Sequence, residues 1–515
     1  MYFNEPYAVY ELAYQLVTDN QYEVLHIDRD HHEIWLEKYE NKVSKVIRLI
    51  PTGFAWKNHL KRDIAVVFQK AKAMKTLLTG KQVELYNVYI SSETPIDDWE
   101  MFKKPMQLNE KNPIKMHVFY LSENDFTTEK TRFEQSIGVP SMNMSQEDPE
   151  ETIEEKIAEY QTYLIGTQQS VQKETEEVLT FGKPFFTYIL LAINVLIFLL
   201  LELNGGSTQT ETLIQYGAKY NPDIIDGQWW RLISSMFLHI GFIHLFMNML
   251  AVFYIGATVE RIYGSWRFLL IYFMAGIGGS LASFAFTTNV SAGASGALFG
   301  LFGALLFFGL KYKKIFFQTM GSGILLLIGI NIVFGFTVQQ IDMGAHIGGL
   351  IAGFIAAAIV HLPKKKSFLL QFIALIVYLV LVIGIGVFGV HNNLNSDAYQ
   401  LTKIEALNDQ ANYEEVVDVA TEALKNAGEL EAFILFQRSF AYIQLNDIDL
   451  AIEDLESSIV LDNTVPEAHY NLALLYHNTG QETQAEDSIK EAYKLNPDDE
   501  GYLELYEEII GESPE

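Results

Sequence analysis

The stretch Ser291-Ala292-Gly293-Ala294-Ser295-Gly296-Ala297-Leu298-Phe299-Gly300 decides how this chain is read. It opens an apolar run, 294–310, long enough to enter a bilayer, with a hydroxyl in its first turn. About fifty residues later comes Gly344-Ala345-His346-Ile347-Gly348-Gly349, again at the start of a small-residue apolar run. A serine and a histidine on two Gly-rich membrane helices suggest nucleophile chemistry at the rim of a membrane.

Working outward, apolar runs cover 186–203, 242–259, 266–288, 294–310, 315–336, 343–361 and 367–390. A span needs roughly 20 apolar residues, so seven spans are expected. An odd number sends the termini to opposite sides. Arg261, Arg267, Lys311, Lys313, Lys314, Lys364, Lys365 and Lys366 fall on one side, and only Lys219 and Arg231 on the other. The positive-inside rule then predicts a cytoplasmic N-terminus and an extracytoplasmic C-terminus. On that topology spans 4 and 6 both start outside, so Ser295 and His346 share one depth just below the outer surface. Asp342, four residues before His346, reads as the N-cap of span 6 rather than as a third catalytic member.

Span 2 carries His244 and Asn248, four apart and so on one helical face. Polar side chains on a membrane helix usually point into the protein, which makes both candidate donors to an oxyanion. His239 is rotated off that face and is expected in the preceding loop. Gly296 and Gly300, and Gly349 and Gly353, form small-xxx-small pairs. If these face each other, spans 4 and 6 can approach backbone to backbone. Trp229 and Trp230 in the loop after span 1 suit the interface. Glu260 and Arg261 end span 2 on the basic side, where an ion pair or loop anchor is expected.

His239-x4-His244-x3-Asn248, Gly293-Ala294-Ser295-Gly296 and Gly344-Ala345-His346-Ile347-Gly348-Gly349 resemble the rhomboid intramembrane serine proteases. So do Trp230-Arg231 and Gly256-Ala257-Thr258-Val259-Glu260-Arg261. The resemblance covers about 180–365, and the whole layout is similar to the Gram-positive GluP-like members. It implies a six-helix core plus a seventh span and a Ser–His dyad needing no cofactor. Ser295 would be the nucleophile and His346 the general base, then acid. His244, Asn248 and the Ser295 N–H would form the oxyanion hole. Gly293, Gly296, Gly349 and Gly353 would support the site. Phe299 stands where some relatives have a tyrosine stacked on the base, and a ring alone suffices for stacking. Transmembrane proteins are the implied substrates, entering from the lipid bilayer, with a small residue before the scissile bond.

The flanks carry most of the net charge of −28. That argues against nucleic-acid binding. Cysteine is absent, which excludes disulfides, thiolate metal sites and a cysteine nucleophile. The first residues lack a basic and an apolar region, so no signal peptide is expected. Residues 1–145 read as a cytoplasmic α+β domain: a helix at 5–18, strands Tyr22–Ile27, Glu33–Tyr39 and Val43–Ile50, a helix Ala55–Leu78, then strands Gln82–Ile90 and Ile114–Leu121. The order loosely resembles the restriction-endonuclease-like core, but no acidic active-site set is present and no nuclease activity is expected. His26, Asp28, Asp30, His31 and His32 are a weak metal candidate, and a polar hairpin tip is the plainer expectation. Residues 146–183 read as a helical linker, N-capped by Asp148-Pro149 and striped by Ile153, Ile157, Tyr160 and Leu164.

After the membrane block, 184–390, the segment 395–515 repeats with a 34-residue period. Tyr442 and Tyr476, Ala451 and Ala485, Leu455 and Ile489, and Ser458 and Ala492 match tetratricopeptide (TPR) positions. Such repeats present a groove for a peptide or protein partner. The expectation is therefore a multi-domain, polytopic α-helical protein of a bacterial plasma membrane, acting as an endopeptidase on membrane proteins. An inactive escort scaffold with TPR docking is the alternative. A transporter would want charged residues at mid-membrane, and none is obvious.

Overall fold

The computed structural model describes residues 4–514 except 76–77, 79, 81, 108–113, 144–149, 339–340, 366, 426 and 429. The Asp148-Pro149 cap and Lys366 lie outside the described residues. The chain divides into two compact units, Met1–Phe181 with Phe308–Leu327, and Gly182–Phe307 with Ile328–Glu515.

In the first unit, α1 (Glu5–Thr18) precedes an antiparallel meander of β1 (Glu23–Asp28), β2 (Glu33–Glu40) and β3 (Val43–Ile50). Helix α2 (Lys57–Met74) crosses to β4 (Gln82–Ser91), which runs parallel to β3. The short β5 (Met106–Gln107) and the parallel β6 (Ile114–Ser122) complete a sheet ordered β1-β2-β3-β4-β6-β5, followed by α3 (Phe126–Ile137). Strands β4 and β6 are buried along most of their length because both sheet faces are covered. One face packs on Leu12, Leu16 and Phe133, the other on Leu60, Ile64 and Val67.

Helix α4 (Glu150–Leu179) packs its first half against the N-terminal domain. Its stripe is packed on the domain: Leu164 is fully buried, and Tyr160 stacks on Tyr14 with centroids 4.7 Å apart. Its first half therefore belongs to the N-terminal core.

The second unit begins with α5 (Phe186–Leu203). A loop of three short helices follows, α6 (Thr210–Gln215), α7 (Asn221–Ile225) and α8 (Arg231–Ser234). Span 2 is α9 (Gly241–Ala251), a π-turn at Val252–Gly256 and α10 (Ala257–Tyr263). Then come α11 (Ser265–Phe286) and α12 (Ser295–Lys311); α13 (Lys313–Thr319) and the start of α14 (Gly321–Thr337) are counted with the first unit, and the rest of α14, α15 (Met343–Val360) and α16 (Phe368–Leu394) with the second. Five helices are long and apolar enough to cross a membrane, and six if α13 and α14, bent by 72°, count as one. Helix α12 has 17 residues. At about 1.5 Å per residue it falls short of a bilayer of roughly 30 Å.

Glu260 is a loop anchor. Fully buried, it accepts from the N–H groups of Phe185, Phe186 and Thr187, and from the hydroxyls of Thr187 and Ser265. One carboxylate thus satisfies orphan N–H groups where α5 begins and holds the Ser265 hydroxyl where α11 begins.

The tail is a run of antiparallel helices: α17 (Asp397–Asp409), α18 (Tyr413–Ala423), α19 (Glu431–Leu445), α20 (Ile448–Leu461), α21 (Pro466–Asn478), α22 (Glu482–Leu495) and α23 (Glu500–Ile510). Ala451 and Ala485, Leu455 and Ile489, and Ser458 and Ala492 are all fully buried. Equivalent positions of successive repeats fill equivalent places in a shared core.

Candidate active site

Ser295 is the first residue of α12 and His346 lies in the first turn of α15. Small residues let the two helices meet. A side chain at Gly349 would run into the Gly296 carbonyl, and one at Gly353 into the Gly300 carbonyl. Helix α11 is a third wall that the sequence pattern did not announce. A methyl at Gly279 would lie 2.7 Å from the Ala345 carbonyl and 3.3 Å from the Gly296 α-carbon.

His346 is buried, and its ring stacks on Phe299 at 4.1 Å with planes 14° apart. Phe299 is one turn beyond Ser295, on the same face of α12. The imidazole therefore lies over the face that bears the hydroxyl. Among the described residues no hydrogen bond joins Ser295 to the His346 side chain, and His346 Nδ1 has no partner. Catalytic hydrogen bonds are often long before substrate binds. Asp342 caps α15, accepting from the Ala345 N–H at 2.9 Å, and makes no hydrogen bond to the His346 ring.

Span 2 supplies the opposite wall. The Ile240 N–H donates to His244 Nδ1 at 3.4 Å, which leaves the ring proton on Nε2. That nitrogen faces Gly293: a methyl there would lie 3.0 Å from it. Gly293 has φ +153°, so both its backbone and its surroundings favour glycine. Asn248 is buried and holds to span 2 by donating to the His244 carbonyl at 2.9 Å. The first N–H groups of α12 add unpaired donors at the same point. Serine, imidazole, an imidazole N–H, an amide and a helix N-terminus can together support acyl transfer through an oxyanion.

The contacts of some neighbouring residues are not legible in the sequence. His239 lies in the loop, as its spacing predicts, but it is fully buried and its ring meets His244 at 5.4 Å. Its Nε2 accepts from the Ala294 N–H at 3.5 Å, while the Gly293 N–H donates to the Ser235 carbonyl at 2.9 Å. The turn into Ser295 is thus pinned from below. Ser235, Ser280 and Ser295 line a cavity of about 10 Å³, the size of one water. Arg231 holds the loop after α5 by donating to the carbonyls of Ile214 and Ala218 and pairing with Asp223.

The weak metal candidate lies at the hairpin tip between β1 and β2. Asp28 accepts from the Asp30 and His31 N–H groups and pairs with the His31 ring at 3.0 Å. The His31 hydrogen bonds hold its carboxyl below the usual range. His32 turns to the Tyr10 hydroxyl at 3.2 Å. Among the described residues no three His, Asp or Glu side chains, including those of His26 and Asp30, are grouped to hold a metal ion.

Residues 226–363 match the rhomboid domain, and residues 441–480 and 466–499 match tetratricopeptide repeats. Rhomboid protease GluP of Bacillus subtilis (strain 168) is 36% identical over 91% of this chain and 91% of its own length. A putative rhomboid protease of the same organism, YdcA, is 34% identical over 38% of this chain and 98% of its own. RHOMBOID-like protein 5 of Arabidopsis thaliana is 38% identical over 30% of this chain and 52% of its own. With these relatives and its apolar helices, the protein is a multi-pass membrane protein. The chain belongs to the rhomboid family of intramembrane serine proteases.

Proposed function

We propose that Ser295 is the nucleophile and His346 its base in hydrolysis of peptide bonds in or near transmembrane segments. His346 takes the hydroxyl proton as Ser295 Oγ bonds the scissile carbonyl carbon. The carbonyl oxygen becomes an oxyanion, met by His244 Nε2–H, the Asn248 amide and the N–H groups at the start of α12. His346 then returns the proton to the leaving amine, and water hydrolyses the acyl-enzyme by the reverse relay. The observation that carries this reading is the Phe299–His346 stack, which sets the imidazole over the Ser295 face of α12. The unpartnered Nδ1 fits a dyad without a third member.

The substrates on this reading are membrane proteins cut near the outer face of a bacterial plasma membrane, with the N-terminus cytoplasmic and the C-terminus outside. Burial supports the orientation. Lys219 and Arg231, the only basic residues counted against it, are 1% and 5% exposed and fully engaged, so they offer no free loop charge. The tetratricopeptide tail would hold a peptide or protein partner.

Purified protein in proteoliposomes with a single-span reporter substrate tests the assignment. Wild type is expected to cleave, and Ser295→Ala and His346→Ala are not. Equal cleavage by wild type and Ser295→Ala would overturn it.

A further inference from the structure

Lys219 sits in the loop between α5 and α9, 1% exposed. Its ammonium donates to Asn221 Oδ1 at 3.0 Å and to the carbonyls of Asn289 at 2.7 Å and Thr287 at 3.1 Å. Thr287 Oγ1 is a fourth neighbour at 3.4 Å. Among the described residues no carboxylate lies within ion-pair distance of it. A buried ammonium with only neutral partners is costly, and an apolar side chain would fill the volume without that penalty. The cation therefore has to be explained by where its contacts lead.

They lead to both halves of the dyad. Toward the nucleophile, Lys219 and Ser291 form an antiparallel bridge, with N–H donating to carbonyl at 2.9 and 3.0 Å. Ser291 stands four residues before Ser295 on the turn that presents it. Toward the base, Thr287 Oγ1 lies 3.1 Å from Ser283 Oγ, and Ser283 donates to Asp342. Asp342 caps α15 through the Ala345 N–H, one residue before His346. The Ser283 proton is committed to the carboxylate, and the Thr287 hydroxyl donates to the Ser283 carbonyl at 2.9 Å, which holds the two hydroxyl oxygens side by side between ammonium and carboxylate. The contacts thus run from the ammonium past two adjacent hydroxyls to the carboxylate, with charge at both ends.

We propose that Lys219 is a positioning residue: a buried ammonium, linked to Asp342 through the hydroxyls of Thr287 and Ser283, that fixes the loop carrying Ser295 against the helix carrying His346. This rests on the serine–histidine reading of the site. The ammonium makes no hydrogen bond to either reacting group and acts through the carbonyls of Thr287 and Asn289, on the segment that leads to Ser295, and through the cap at Asp342. Loss of its charge should let the two limbs drift apart without altering where substrate binds.

The test compares wild type, Lys219→Met, Thr287→Val and the double variant, all full length, for reporter cleavage and for the rate of Ser295 labelling by a fluorophosphonate. Lys219→Met is expected to lower kcat on the order of 10²-fold with KM unchanged, as small misplacements of reacting groups do. Labelling should slow in parallel. Thr287→Val, which cuts only the limb toward Asp342, should lower kcat by a smaller factor. The double variant should be no worse than Lys219→Met, because both break one chain. A folded Lys219→Met with wild-type kcat, or with a change in KM alone, would overturn the proposal. If Lys219→Met does not fold, wild-type kcat and labelling in Thr287→Val overturn it. A wild type that neither cleaves nor labels at Ser295 would instead overturn the reading of the site itself.

Discussion

Around Arg48 in the N-terminal sheet, none of the buried polar atoms of Glu33, Arg48, Asp63, Asn87 or Tyr89 lacks a partner. Arg48 donates to Glu33 at 2.7 Å, Asp63 at 2.9 Å and Asn87 at 3.1 Å, and Tyr89 donates to Asp63 at 2.7 Å. Beside Ser295 the opposite holds: His346 is as buried as a core residue, yet its Nδ1 is open. Both clusters bury polar groups, and burial alone does not tell them apart. Satisfaction does. A closed network holds three strands and α2 together and has no capacity left for chemistry. An open one keeps donors and acceptors free for a substrate.

The largest effect should come from pushing the two limbs of the open site apart. Gly349→Leu drives a side chain into the Gly296 carbonyl, and reporter cleavage should be lost altogether. Retained cleavage would mean that the close approach of α12 and α15 is dispensable. Removing one donor should cost less: Asn248→Ala is expected to lower kcat by on the order of 10²–10³-fold. A wild-type rate would remove Asn248 from the oxyanion hole.

The closed cluster should respond in stability rather than in rate. Arg48→Met leaves Asp63 without its cation and Glu33 with only the part-exposed Lys70, and breaking a buried pair costs about 3–5 kcal/mol. Hydrogen exchange across β2 and β3 should rise while kcat stays at the wild-type value. Acid should act on the same place. Burial pushes the Glu33 carboxyl up, but the Arg48 charge and the hydrogen bonds around it prevail and hold it below its ordinary range. A depressed native value means that this stabilisation is present at neutral pH and fades as pH falls through and below that range. The smallest effect is expected at Phe299: Phe299→Tyr keeps the stacked ring and should match wild type in kcat. A large loss there would show that the stack is not what orients His346.

The readily legible features were those carried by local spacing. His244 and Asn248 four apart, glycines four apart on two spans, and the strand Val43–Ile50 all show in the chain itself, because helix and strand periods fix which residues share a face. The third wall was not legible. Helix α11 is apolar all round, with no stripe to say which side packs inward. His239 and the Lys219–Thr287–Ser283–Asp342 chain join residues from distant segments, and no local pattern records such a meeting. Lys219 even read as an ordinary loop charge. The stripe on α4 was visible, but the surface that covers it, around Tyr14, was not.

The central claim is that Ser295 and His346 work as one unit. Intact-protein mass spectrometry after fluorophosphonate treatment tests it most directly. A single adduct on Ser295 is predicted for wild type and for Arg48→Met, and none for His346→Ala. An adduct forming as fast on His346→Ala as on wild type would contradict the account, since the hydroxyl would then be reactive without its imidazole.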